Sequence, residues 1–336
     1  ISASLVGSEM CIRDRSNISS NWQKKIGSQR DWVWRGWQTR YTYVRCQSNY
    51  ETREGQNLQH PPILLLHGFG ASIGHWRQNI NVLSQKHTVY ALDLLGFGAS
   101  EKAIANYNTS FWVEQVYEFW QAFIQVPVIL VGNSIGSLIS LVATGTYKDM
   151  VAGLIMISLP DPAAQAEVIP SWCLPTVELI QNIVASPLLL RGLFFILRRS
   201  SIIRRWVKLA YSNPDIITEE LVGILAGPPR DKGAARAFCI LFKIMGSTKL
   251  GPSVKAILPS LELPMLLIWG KQDLLIPPKF ANPSQFSQLN PRLEFIELDN
   301  AGHCAHDECP EIVNRLILDW VVKQKYQFIN LTRSNV

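Results

Sequence analysis

The 336 residues carry 32 Lys and Arg against 26 Asp and Glu, a formal net charge of +6, with 47% hydrophobic and 17% charged residues. A chain this apolar folds around a large core, which excludes disorder over most of its length. The charge is modest for the size and no block of five or six basic residues tracks a phosphate backbone, so no nucleic-acid partner is expected.

The chain opens with ISASLVGSEMCIRDR, which lacks an initial Met and the charged-then-apolar layout of a secretory signal. This text resembles a translated adapter read, so residues 1–29 are expected to be artefact and unstructured leader. From Asp31 onward, Trp32, Trp34 and Trp37 lie among Arg and Gly, and Tyr41, Tyr43 and Arg45 alternate. That period of two predicts an antiparallel hairpin. Pro62 to His67 (PILLLH) is a short apolar run stopped by Gly68 and Gly70, the pattern of a buried parallel strand that ends in a tight loop. A helix is predicted from about Gly74, and a strand over Thr88 to Leu94 (TVYALDL). Phe111 to Ile124 has helical spacing, and Val126 to Val131 (VPVILV) reads as a third buried strand. GNSIGS, Gly132 to Ser137, comes next, followed by helical pattern through Thr144 and the strand VAGLIMIS over Val151 to Ser158.

Strands alternating with helices predict an α/β fold: a mostly parallel sheet with helices on both faces. Between Leu159 and about Leu261 the alternation stops and Pro-punctuated helical stretches take over. PMLLIW (Pro264 to Trp269) restores the strand signal, Leu293 to Leu298 supplies a last strand and Glu311 to Val322 a closing amphipathic helix. The expected organisation is therefore a core in two parts, 30–159 and 262–325, interrupted by a helical lid over 160–261 and followed by a tail, 326–336.

Gly132-Asn133-Ser134-Ile135-Gly136 matches G-x-S-x-G directly after an apolar strand and before a helix, the context in which a serine nucleophile is held on a strained turn. A carbonyl attacked by Ser134 becomes an oxyanion, which needs two preorganised donors. The Ile135 amide is one candidate, and the Phe69 amide in Gly68-Phe69-Gly70 is the other. Serine also needs a base held in one tautomer by a third group. His303, in Asn300-Ala301-Gly302-His303 after the last strand, fits the chain order Ser, acid, His, and the Gly before it is expected to free the backbone. His306 is the rival, expected otherwise to stand behind the catalytic groups or at the rim. Asp273 follows PMLLIW at the carboxyl edge of the sheet, with Asp161 as the alternative acid. Asp93 is expected to tie loops by local hydrogen bonds.

Other chemistry finds less support. The six cysteines show no CxxC or zinc spacing and read as reduced thiols, and no GxGxxG, GxxxxGK[ST] or HExxH occurs, so no metal or cofactor is expected. The triplets at Asn17, Asn108 and Asn330 matter only in a secreted chain, and an intracellular location, cytoplasmic or plastid, is expected.

Taken together, HGFGASIGHWRQN, YALDLLGFGAS, VGNSIGS, WGKQDLLIPP and NAGHCAHDECPE resemble the α/β-hydrolase superfamily, and closely its cyanobacterial and chloroplast members, a group with pheophytinase-like enzymes. The resemblance runs from about Trp32 to Lys323. It implies Ser134, Asp273 and His303 as a catalytic triad, Phe69 and Ile135 as oxyanion donors, and a photosynthetic source. Ser137 departs from the pattern, since a second glycine often stands there, and Cys304 and Ala305 vary the text after the histidine.

Leu179 to Leu197 is greasy but interrupted by Gln181, Asn182, Pro187 and Arg191, so it is not expected to span a membrane. Arginines from Arg191 to Arg205 interleave with Phe194, Phe195, Ile202, Ile203 and Trp206. Such a mixture suits either a surface resting on an anionic bilayer or a lid with a solvated basic face. The leading reading is hydrolysis of a lipophilic carboxylic ester through an acyl-enzyme. Hydrolysis of a carbon–carbon bond in a dienoate or diketone is the alternative enzyme class, and a non-catalytic binding protein the alternative outside catalysis. Dehalogenase and epoxide hydrolase mechanisms are disfavoured, because they use aspartate where this chain has Ser134.

Overall fold

The structure is a computed structural model that describes residues 21–46, 60–163, 187–245 and 247–324. The expected unstructured leader is contradicted over residues 21–29, where a helix spans Asn21–Lys25 and a strand starts at Ser28; its first twenty residues, residues 164–186 of the expected lid and the tail lie outside the described residues, as do Asn17 and Asn330.

Eight strands form one sheet in the order β1-β2-β4-β3-β5-β6-β7-β8, where β1 is Ser28–Trp34, β2 Trp37–Val44, β3 Ile63–Leu66, β4 Val89–Leu92, β5 Val128–Asn133, β6 Val151–Ile157, β7 Met265–Gly270 and β8 Leu293–Leu298. The predicted hairpin is β1 and β2, which pair antiparallel through Trp34 opposite Trp37, and β2 joins the sheet antiparallel to β4. The other pairs are all parallel.

Thirteen helices are described: α1 Asn21–Lys25, α2 Ile80–Leu83, α3 Thr109–Phe123, α4 Ile135–Thr146, α5 Pro187–Leu197, α6 Ser200–Val207, α7 Glu219–Ala226, α8 Ala234–Met245, α9 Val254–Ile257, α10 Pro278–Ala281, α11 Gln285–Leu289, α12 Ala305–Glu308 and α13 Pro310–Lys323. Five of them, α5 to α9, fall between β6 and β7.

Period-two alternation on buried strands divides the core in two. Leu64 and Leu66 of β3 face a cluster with Trp112, Phe119 and Leu138 of α3 and α4, whereas Ile63 and Leu65 face Trp76, Ile317 and Val321 on the other side. All four residues of β3 are fully buried, which is why this strand reads as an unbroken apolar run. Asn108 caps α3 by accepting from Phe111 N–H at 2.8 Å, a contact that typically contributes about 1 kcal/mol.

The helix predicted from Gly74 is shorter than its pattern. Residues Ile73–Trp76 form one 3₁₀ turn capped by Ser72, and α2 follows as a single turn. Asn79 interrupts the segment because its buried side chain donates to His306 O at 3.0 Å and Asn314 Oδ1 at 2.8 Å.

Sheet order reverses around β3, which lies between β4 and β5. Open α/β sheets bind ligands at such a switch point, off the carboxyl ends of the strands. Gly68 to Gly70 leave β3 there, and Ser134 leaves β5.

Candidate active site

Ser134 stands between β5 and α4 with φ 55° and ψ −121°, a backbone conformation rare for a side chain with a Cβ and costing on the order of 1–3 kcal/mol. Its amide donates to Ile157 O at 2.9 Å and its carbonyl accepts from Ser137 N at 2.8 Å, so strand and helix hold the turn from both sides. The serine occupies the N-cap position of α4, yet its hydroxyl makes no capping bond. The Ile135 amide is the first of the helix donors that have no intrahelical acceptor.

Close packing explains the flanking glycines. A Cβ on Gly132 would lie 2.3 Å from the Gly136 carbonyl, and one on Gly136 would lie 2.3 Å from Leu66 O. Ser137, the departure from the family pattern, ties three elements together: its buried Oγ accepts from Ile157 N at 2.9 Å and lies 2.7 Å from Gly132 O. A glycine would leave that link between α4, β5 and β6 unmade.

His303 and Asp273 meet. His303 Nδ1 donates to Asp273 Oδ2 at 2.8 Å, and both residues are at most 5% exposed. The other carboxylate oxygen, Oδ1, accepts from the amides of Leu275 at 2.9 Å and Ile276 at 2.8 Å, so the acid is fixed by its own loop. The elbow reaches the histidine loop, because Asn133 Nδ2 donates to His303 O at 3.0 Å. Segments far apart in the chain thus converge. Asn133 does not stand out in the sequence; its place before the serine is the available signal.

The Phe69 loop lies beside the serine, since a Cβ on Gly68 would come within 3.4 Å of Ser134 Cβ. His67, fully buried, accepts from Leu94 N at its Nε2 (3.1 Å) and donates from Nδ1 to Gly68 O at 2.8 Å. In a planar trans peptide the C=O of Gly68 and the N–H of Phe69 point opposite ways. Anchoring that carbonyl on His67 therefore sets the direction of the Phe69 amide. Burial pushes the His67 pKa down, which keeps the ring neutral and able to accept from Leu94.

The rival candidates are engaged elsewhere. His306, expected behind the catalytic groups or at the rim, is fully buried with its ring centre 4.1 Å from that of Trp76 and its pKa driven well down by burial. Asp161 accepts from Val254 N at 3.3 Å and Ala163 N at 3.0 Å, tying the start of α9. Asp93 does tie loops, though wider ones than its own: it accepts from Ala99 N and Ile73 N, both at 2.7 Å, and pairs with Arg40 at 2.6 Å. A surface groove of 700 Å³ between the hairpin and α3, lined by Trp32, Trp34, Arg35, Tyr117 and Tyr147, contains none of the candidate catalytic residues. Its carboxylates Glu114 and Glu118 are taken up by Arg35.

Gly302 precedes His303 for a different reason from the one expected. Its φ is not in the left-handed region; instead a Cβ there would lie 2.6 Å from Ala210 O and 3.0 Å from Ser212 N. The stretch 210–213, just after α6, crosses the histidine loop and is fastened to it. Cys304 N donates to Ala210 O at 3.3 Å, and buried Glu308 accepts from Gly302 N and Asn213 N, both at 2.7 Å, and from Ser212 Oγ at 2.5 Å. Tyr211 Oη donates to Asp307 Oδ2 at 2.6 Å and accepts from His75 Nε2 at 2.8 Å, while Arg77 pairs with Asp307 at 2.7 Å and with Glu220 of α7 at 3.0 Å. Sequence reasoning missed this polar network, although the acidic pair Asp307-Glu308 after the histidine is a visible signal.

Comparison with known proteins agrees with the fold. A 24% identical stretch of 322 residues is shared with the chloroplastic pheophytinase of Arabidopsis thaliana, covering 81% of this chain and 63% of that one. The dihydrolipoyllysine-residue acetyltransferase component of the acetoin cleaving system of Pseudomonas putida is 26% identical, over 78% of this chain and 64% of that one. The chain thus spans somewhat under two thirds of the length of these curated relatives. Among solved structures, a meta-cleavage product hydrolase from Pseudomonas fluorescens superposes with a TM-score of 0.67 at 18% identity, covering 89% of this chain and 99% of the other. The family model for the alpha/beta hydrolase fold matches residues 61–310, and the chain belongs to that family.

Proposed function

We propose that this protein is a serine hydrolase that cleaves a carboxylic ester, a lipophilic one, through an acyl-enzyme. Ser134 Oγ attacks the carbonyl carbon while His303 takes its proton. Asp273 holds the imidazole in the tautomer that leaves Nε2 able to accept, and stabilises the imidazolium. The tetrahedral oxyanion is held by the amides of Phe69 and Ile135. Its collapse returns the proton from His303 to the departing alcohol, and a water activated by the same histidine then releases the acid and restores Ser134.

The observation that carries this reading is the buried 2.8 Å bond between His303 and Asp273 on the loop that Asn133 ties to a strained, uncapped serine. Support for a lipophilic substrate comes from the exposed apolar side chains on the loops involved, Phe69 at 39%, Leu274 at 63% and Leu275 at 47%. The name of the pheophytinase relative is in keeping with it, and the chloroplast in that name supports a plastid location for this chain.

The test is a panel of p-nitrophenyl esters from acetate to long acyl chains, a phytyl ester and a dienoate, together with labelling by a fluorophosphonate. Turnover rising with acyl length and label lost in Ser134→Ala are expected. Asp273→Asn should lower kcat by about 10⁴-fold, because the ring is then held in the wrong tautomer. Turnover of the dienoate alone would transfer the same residues to carbon–carbon cleavage, and absence of labelling in the intact chain would end the reading.

A further inference from the structure

We infer that α5, α6 and the residues after them form a docking surface for an anionic lipid bilayer. Residues 187–208 hold six of the 32 Lys and Arg (Arg191, Arg198, Arg199, Arg204, Arg205 and Lys208) and none of the 26 Asp and Glu. The remainder of the chain is therefore balanced at 26 of each, and the whole net charge of +6 resides on this stretch. Of the six, Arg204 forms an ion pair among the described residues, with Glu219.

Charge alone would suit any polyanion. The apolar side chains narrow the partner. Leu190 and Phe194 of α5 are buried, one helical turn apart, and hold the helix to the protein. The next residues round the helix are also large and apolar, yet they face solvent: Leu193 is 36% exposed, Phe195 49% and Ile196 50%. On and just after α6, Trp206 at 56% and Leu209 at 38% are exposed as well. A monomer gains nothing by exposing this much apolar surface among cations, whereas an interfacial helix buries such side chains at the acyl boundary and leaves its arginines at headgroup level. Arg198 is already stacked over Phe195, its guanidinium carbon 4.5 Å from the ring centre, the arrangement of a cation that lies along greasy surface rather than away from it.

Beside these side chains lies a cleft of 340 Å³ whose lining includes Arg191, Arg198, Lys232 and Arg236 around Phe194 and Phe195, with Asp231 as its one acid. Several guanidinium groups around an apolar floor match a phosphate headgroup with its acyl chains below. The eleven residues of α5 extend about 16 Å, roughly half a bilayer core, so the contact lies along the surface. A soluble acidic peptide or a nucleic acid would use the cations and leave Ile196 and Trp206 in water.

The experiment is flotation of the intact chain with vesicles of phosphatidylcholine alone or with added phosphatidylglycerol, read without turnover. Its failure therefore leaves the reading of Ser134 untouched, and failure of that reading leaves this one standing. Binding confined to the anionic vesicles and weakened by salt is expected. The double variant Arg199→Gln with Arg205→Gln should bind about thirtyfold more weakly, at about 1 kcal/mol for each basic side chain near the surface. Ile196→Ser with Trp206→Ser should weaken it at least tenfold at an unchanged melting temperature. Failure of the wild type to float with anionic vesicles overturns the proposal, and so does equal binding to neutral ones. Tighter capture by heparin than by vesicles would assign the surface to a soluble polyanion, and a dimer in sedimentation that Ile196→Ser with Trp206→Ser dissolves would assign it to a second copy; either result also overturns it.

Discussion

At the scale of single residues, the proposed site depends on backbone groups aimed by buried side chains. The Phe69 amide is the clearest case: it takes its direction from the peptide it shares with the Gly68 carbonyl, which is held by His67. His67→Phe keeps most of the volume and removes both hydrogen bonds. It is expected to lower kcat by about 10²-fold, the loss typical of one misaimed oxyanion donor, while KM moves little. Steady-state kinetics on the best ester of the panel check this, and a change confined to KM would show that His67 serves substrate binding instead. The strained turn that carries Ser134 and Ile135 was legible because a strand, a G-x-S-x-G turn and a helix occur in one unbroken run of text. The role of His67 was not, because its partners Leu94 and Gly68 become meaningful only once β3 and β4 lie side by side.

At the scale of elements, the loop carrying His303 and the helical insertion behave as one piece. Glu308 accepts one hydrogen bond from Gly302 of the loop and two from residues 212 and 213, and Tyr211 donates to Asp307. The backbones come so close at Gly302 that any side chain must push 210–212 away. Gly302→Ala is therefore expected to destabilise the fold by about 1–3 kcal/mol, as overpacking does, and to reduce kcat with the displaced histidine. Urea midpoints paired with ester kinetics check it; wild-type values in both would mean that the crossing is looser than the distances indicate. Strand positions were legible from apolar runs, because buried parallel strands need both faces apolar. The short helices near Gly74 were not, since Asn79 spends its side chain on distant His306 and Asn314 rather than on a longer helix.

Across the whole molecule, burial sets the response to acid. Desolvation lowers the pKa of His75 and of His87 from 6.5 to about 4. The unfolded chain binds these protons first as the pH falls, so the stabilisation is complete above about pH 6.5 and is lost as the pH drops towards 4. Each histidine contributes on the order of 2–3 kcal/mol of that loss. Denaturant midpoints that stay level from pH 7.5 to 6.5 and then decline through pH 4.5 are expected, and a level profile across the lower window would contradict the burial of both rings. By itself the sequence determined the α/β class, most of the strands and the residue types available for nucleophilic chemistry, because these follow from local periodicity and from contiguous motifs. Only tertiary structure decided that His303 rather than His306 meets Asp273, that Gly302 is required by a crossing chain and that the basic helices α5 and α6 keep apolar side chains in water. Those outcomes rest on contacts between segments far apart in the chain, which no local pattern encodes.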